Sequence, residues 1–262
     1  MSRSAFYKRS TRKHTRHVKN AVVLKLVENI RKDQPRVGTR KLYAELKPSF
    51  ERAKIPVGRD KLFSVLKDAK KLVKPKKSFQ KTTNSTHSYA VAPNRIKGIE
   101  VQAPGEVLVS DITYLRLEKG FAYLFLVTDL CSRKILGYHV TRDLTHHSAC
   151  IALEKAVREL KNSVGTIHHS DRGCQYCCHE FLERLAEHGV LSSMTDDNHC
   201  YQNAVAERVN GILKDEFNLD AVFRTFDELR AAVDKAISVY NTKRLHFNLG
   251  LQTPEEVYAE AA

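Results

Sequence analysis

Three acidic residues stand where acids are out of place. Asp111 lies inside a run of strand formers, Val107-Leu108-Val109-Ser110-Asp111-Ile112-Thr113-Tyr114-Leu115-Arg116, where the backbone ladder gains nothing from a carboxylate. Asp171 follows a short strand at Thr166–Ser170, at the carboxyl end where sites collect in α/β sheets. Glu207 falls on a helix whose apolar stripe is Val205, Val209, Ile212, Leu213 and Phe217, so it points away from the core. Singly, they read as an edge-strand gatekeeper, a turn residue and a solvated helix residue. Together they are a set of hard oxygen donors of the kind that holds two Mg²⁺ ions, with Mn²⁺ able to substitute. Ions about 3.5–4 Å apart bridge the attacking and leaving oxygens in phosphodiester cleavage.

The neighbours of these acids extend the expectation. Asn203, Asn210 and Lys214 share the side of Glu207 on its helix, which makes them candidate DNA contacts; for Lys214 a surface ion pair with Glu207 is the alternative. His169, Arg172 and Gln175 flank Asp171 and are expected to orient DNA or the carboxylates. Asp129, ahead of Ser132-Arg133, reads as a turn cap. Cys174, Cys177, Cys178 and His179 include a C-x-x-C spacing, but no second C-x-x-C exists to complete a zinc site. His168, His169 and Cys200 are the only recruits the sequence suggests, so half-buried thiols are expected.

The elements that must position the acids follow from periodicity. Strands at Val107–Arg116, Phe121–Thr128 and Ile135–Val140 are joined by Glu118-Lys119-Gly120 and Ser132-Arg133. Then come a helix at Ser148–Leu160, a strand at Thr166–Ser170, a helix at Glu180–Glu187, a strand at Val190–Met194 and a helix at Asn203–Glu216. Three antiparallel strands followed by βαβα form the ribonuclease-H-like order, an α/β class. Helices at Asp227–Tyr240, with Thr225 and Glu228 as a capping box, and at Pro254–Ala259 complete the tail.

The chain carries a net charge of +14, very unevenly spread. Residues 1–81 hold 25 Lys and Arg against 6 Asp and Glu, an excess of +19, and the remainder is at −5. Such a field favours a polyanion, nucleic acid before others, over a merely solvated tail. Residues 1–18 read as a basic arm, and 19–75 as a small helical domain resembling a helix-turn-helix. In that domain Arg36, Arg40, Lys41, Arg59, Lys61 and Lys67 lie on polar faces as candidate DNA ligands. A linker is expected over 76–103, the catalytic core over 104–220 and a C-terminal helical extension over 221–262. No stretch approaches the ~20 apolar residues of a membrane helix. No apolar leader follows the basic start, so the reducing cytosol is the expected compartment.

Ser110-Asp111-Ile112-Thr113-Tyr114, His169-Ser170-Asp171-Arg172-Gly173-Cys174-Gln175-Tyr176 and Asn203-Ala204-Val205-Ala206-Glu207-Arg208, with 35 residues between the last two acids, resemble the D, D, E transposases. The chain is most similar to the second-reading-frame protein of the insertion-sequence-three family, whose core is like retroviral integrase. Val37-Gly38-Thr39-Arg40-Lys41-Leu42 resembles the family's basic helical domain, and Tyr240-Asn241 with Arg244-Leu245-His246 its closing segment. Leu108 departs from the Trp often found ahead of the first Asp, and Asp196-Asp197-Asn198-His199-Cys200 from a more basic loop. The resemblance implies metal-dependent cleavage and strand transfer at insertion-element ends, on double-stranded DNA of ends and target. It further implies a homo-oligomer on DNA and an upstream reading-frame protein joined by frameshifting for end recognition. Two rivals remain open at this point: a catalytically inactive DNA-binding repressor, and a ribonuclease-H-like nuclease that cuts without joining.

Overall fold

The computed structural model describes residues 18–74, 91–196 and 200–260. The basic arm, save its last residue, and the linker as far as residue 90 lie outside the described residues, as do Asp197, Asn198 and His199. The chain divides into two units, residues 1–77 and 78–262.

The first unit is a bundle of three helices: α1 over 18–31, α2 over Thr39–Arg52 and α3 over Arg59–Asp68. Val23 and Val27 of α1, Leu42, Leu46 and Phe50 of α2, and Leu62, Val65 and Leu66 of α3 meet in one core. The spacing of three to four residues puts each set on one helical face. Both later helices stop the same way. Lys54 and Lys70 take left-handed backbone (φ 51° and 55°), and the next N–H reaches back, Ile55 to the Phe50 carbonyl and Lys71 to that of Leu66.

The second unit is built on a sheet of order β3-β2-β1-β4-β5, with β6 pairing the far end of β1. β1 (Val107–Leu117), β2 (Phe121–Asp129) and β3 (Ile135–Thr141) are antiparallel; β4 (Ile167–Ser170) and β5 (Leu191–Met194) add in parallel. This is the ribonuclease-H-like arrangement. Alternation along β2 splits the core in two. Phe125 and Val127 pack with Leu108 against α4 (His146–Glu159) and α6 (His179–Glu187) on one face. Leu124 and Leu126 pack with Leu115 and Leu117 against α7 (Ala204–Glu216) and α8 (Phe226–Thr242) on the other. Between β4 and α6 lies a single helical turn, α5 (Cys174–Cys177).

Three features bear on the expected boundaries. β6 (Val222–Phe223) pairs with Arg116 and Leu117, and Leu229, Val233, Ile237 and Tyr240 of α8 belong to the same core as β1–β3. The C-terminal extension is therefore part of the core, because its apolar stripe covers a sheet face that would otherwise be bare. The end of the expected linker is likewise structural: the backbone N–H groups of Ala92 and Arg95 donate to Met194 Sδ and Ser193 Oγ along β5. Finally, Gly137 of β3 lies directly under α4, where an added Cβ would sit 2.1 Å from the Ala152 carbonyl oxygen and 2.9 Å from Ala156 Cβ.

Candidate catalytic site

Strand register explains why the two aspartates are neighbours. β1 and β4 run parallel with Val109 opposite His169, and Asp111 and Asp171 each lie two residues further on. Equal steps along parallel strands bring side chains out on the same face, a strand spacing apart. On β1 that face also carries Val107, Val109, Leu115 and Leu117, the residues covered from the α7 side or its flank. β4 ends at Ser170, so the chain turns away just where the carboxylates need room. Asp171 Oδ1 accepts the Gly173 N–H at 3.0 Å, and a Cβ on Gly173 would crowd that oxygen at 3.1 Å.

Glu207 arrives on α7, whose buried residues Ala206, Val209, Ile212 and Leu213 hold the helix to the sheet. Two amides fix its register. Asn203 donates to the Ser110 carbonyl at 2.8 Å, and Asn210 donates to Asp111 Oδ2 at 2.8 Å. Glu207 lies between them on the same helical side, exposed, and its charge is felt at Asp111.

The electrostatics record the convergence. Burial, then the charge of Asp171, push the Asp111 carboxyl up from 3.8 to about 7; Glu207 adds to this, while the bonds from Asn210 and the Ile112 N–H oppose it. Tyr176, buried nearby, is held well above its ordinary range by burial and then by Asp111 and Asp171. Lys214 is half-buried, its ammonium drawn down by burial and supported by Asp111 and Asp220. The three acids do not form a single tight cluster: among the described residues only His146, Cys178 and Glu180 bring three ligand atoms within 4.8 Å of one another.

The flanking residues have defined duties. His168 is fully buried, with Nε2 at 2.7 Å from Ser110 Oγ, and His169 Nδ1 is 2.9 Å from Ser193 Oγ. Burial pushes them down to about 3 and about 4, so both rings are neutral, and neither is placed to join the cysteines on a metal. Arg172 Nε donates to the Thr195 carbonyl at 2.9 Å, and Gln175 to that of Leu144 at 3.4 Å, bracing the loop after Asp171. Asp129 accepts from the N–H groups of Gly105 and Ser132 and from Ser132 Oγ, a turn cap.

Several expected DNA ligands lie elsewhere than on an open face. Asn203 and Asn210 are buried, at 2% and 5% exposure, and spend their amides on β1. In the first unit Lys41 is buried at 8%, because its position on α2 adjoins Leu42 in the packed face, and Arg36 Nη2 donates to the Lys74 carbonyl at 2.7 Å. Arg40, Arg59 and Lys67 are exposed and Lys61 half-exposed, with Arg59 Nε 2.9 Å from Asp60 Oδ1. What the sequence reading missed is the grip of Asn210 on Asp111 and the role of Tyr176 beneath the acids. The position of Asn210, three residues beyond Glu207 on the same side, was the available signal.

Similarity to known proteins identifies the family. Residues 101–200 and 188–254 match two families, both described as integrase core domain. The chain is 35% identical over 219 residues to an uncharacterized 31 kDa protein of insertion element IS600 from Shigella sonnei, covering 83% of this chain and 79% of that one. It is 32% identical over 185 residues to the InsF transposase of insertion sequence IS3A from Escherichia coli K12, covering 70% of this chain and 64% of that one. In fold it is similar to a chain of the simian T-cell lymphotropic virus intasome solved with the PP2A regulatory subunit B56 gamma. The TM-score is 0.53 and the identity 16%, over 85% of this chain and 70% of that one. An integrase core domain, a ribonuclease-H-like sheet and this kinship place the chain in the IS3 family of insertion-sequence transposases.

Proposed function

We propose that this chain cleaves DNA at the ends of an insertion element and joins the freed 3′ ends to target DNA, with Asp111, Asp171 and Glu207 holding two Mg²⁺ ions or Mn²⁺ in their place. The placement of Asp111 and Asp171 carries the proposal. They lie two residues beyond the paired Val109 and His169 on parallel strands, where burial, and then the charge of Asp171, push Asp111 up to about 7, and an all-oxygen donor set suits a hard divalent cation. Such ions, once bound, stabilise charge on the phosphate under attack and make the attacking hydroxyl more acidic.

The protein's own residues prepare that chemistry. Asn210 and the Gly173 N–H fix Asp111 and Asp171 in orientation, and exposed Glu207 completes the set from α7. Lys214, in the field of Asp111, and Arg172 at the rim serve as cations for phosphate oxygens. Arg40, Arg59, Lys61 and Lys67 of the first unit neutralise DNA phosphates. First water and then the freed 3′-hydroxyl attack, so hydrolysis and joining use one site. The active form is an oligomer on DNA in the bacterial cytoplasm, and the upstream reading frame, fused by frameshifting, adds end recognition. Among the described residues no helix is long and apolar enough to cross a membrane.

The test is incubation with end-bearing DNA and Mg²⁺ or Mn²⁺. Nicked and joined products should form, and Glu207→Gln should abolish them while leaving DNA binding unchanged. Equal activity of the variant would refute the assignment; binding without any turnover would indicate a repressor; preferential cutting of an RNA–DNA hybrid without joining would indicate a nuclease.

A further inference from the structure

A second group of ligating side chains assembles away from the carboxylates, where α4 meets the start of α6. His146 is the first residue of α4, Cys178 is the N-cap of α6 and Glu180 lies in its first turn. Their ligand atoms all lie within 4.8 Å of one another. His146 and Glu180 are open to solvent and Cys178 is buried behind them, so the group has an entrance.

The donors differ in kind from those of the catalytic site. Oxygen-only sites suit Mg²⁺; imidazole nitrogen and thiolate sulfur are borderline-soft donors that suit Zn²⁺. We propose that His146, Cys178 and Glu180 bind one Zn²⁺ ion, with water completing a tetrahedral set. The Cys178 thiol now donates to the Gln175 carbonyl at 3.5 Å. On binding, the Cys178 thiol loses its proton to solvent and the sulfur electron pair goes to the metal, so affinity rises with pH. The ion would clasp α4 to the segment that leaves Asp171 through Gly173 and α5. It is a positioning site, distinct from the carboxylates that carry the reaction.

Titration with Co²⁺ as a spectroscopic substitute tests the proposal. The full chain should bind one Co²⁺ with an intense thiolate-to-cobalt charge-transfer band, which Zn²⁺ bleaches and excess Mg²⁺ does not. Cys178→Ser should remove the band. So should His146→Ala, which alters an exposed position and leaves the fold intact by circular dichroism. Cys174→Ser and Asp111→Asn should leave it whole. A band that survives His146→Ala, a band lost in Cys174→Ser, or no band at all would overturn the site. Because Asp111→Asn keeps the band while abolishing DNA joining, failure here is separable from failure of the catalytic assignment.

Discussion

Asn210 on α7 donates its side-chain amide to Oδ2 of Asp111 on β1, at 2.8 Å. One contact thus ties the helix that carries Glu207 to Asp111, and does so by stabilising that carboxylate's charged form. Replacing Asn210 by Ala removes the opposing influence on a group already pushed up to about 7. The pH midpoint for Mn²⁺ binding should move upward by on the order of one unit, since a hydrogen bond to a charged group contributes roughly 1.5–3 kcal/mol. Calorimetric titration across pH measures it, and an unchanged midpoint would show that the bond does not govern Asp111.

The raised Asp111 also makes a stability prediction with a definite sign. Between 3.8 and about 7 the folded chain holds a proton that the unfolded chain has released, so without metal this group lowers stability progressively as pH rises through that window. Above about 7 the loss is complete and constant. Asp111→Asn lacks the penalty, so its melting temperature should overtake that of the parent as pH rises. Mg²⁺ should narrow the gap by stabilising the parent. A difference between the two proteins that does not vary with pH would count against the shift.

His168 titrates in the opposite sense. It is buried as a neutral ring and pushed down to about 3, whereas in the unfolded chain it protonates near 6.5. Its contribution is intact above 6.5 and is lost as pH falls from there toward 3. In a His168→Gln variant, which keeps a hydrogen-bonding group near Ser110 Oγ, the acid limb of the stability profile should be shallower. Urea midpoints measured between pH 4 and 8 give the comparison.

Arg244 and Glu216 form a two-pronged ion pair, Nε to Oε2 at 2.9 Å and Nη2 to Oε1 at 2.7 Å, with the arginine side chain 4% exposed. The pair joins the end of α7 to the segment beyond α8, and His246 accepts from Nη1 at 2.8 Å. Arg244→Ala strands a carboxylate in low-dielectric surroundings and should cost roughly 3–5 kcal/mol. Pairing Arg244→Met with Glu216→Leu should recover most of it. Denaturant unfolding of both variants decides; a mild single and a severe double would be the wrong order.

For the first unit, exposure separates two kinds of basic residue. Arg40→Ala and Arg59→Ala should weaken DNA binding evenly across sequences, each reducing the slope of log affinity against log salt by about 0.9. Lys41→Ala, at a buried position, should instead shift the unfolding midpoint. Fluorescence anisotropy over a salt series, run beside thermal melts, tells them apart.

The strand order and helix succession were legible because alternation and helical spacing are local properties of the sequence. Asp111 was legible as an acid inside a strand-forming run, and it lies within β1. Two-residue β6 was not, since Val222 and Phe223 have no period to display and form a strand only because the end of β1 is available. Nor was the burial of Lys41, decided by which way α2 is rolled in its bundle. The nearness of His146 to Cys178 was not legible either, because the packing of α4 against α6, and no sequence spacing, brings them together.

At Gly137 the backbone of β3 and the backbone of α4 approach with only a hydrogen atom between them. A methyl group there would act as a wedge at the centre of the helix, prying it from its seat and swinging its leading end, with His146, out of reach of Cys178. The smallest residue in the chain thereby governs whether two helices at the edge of the molecule can share a ligand.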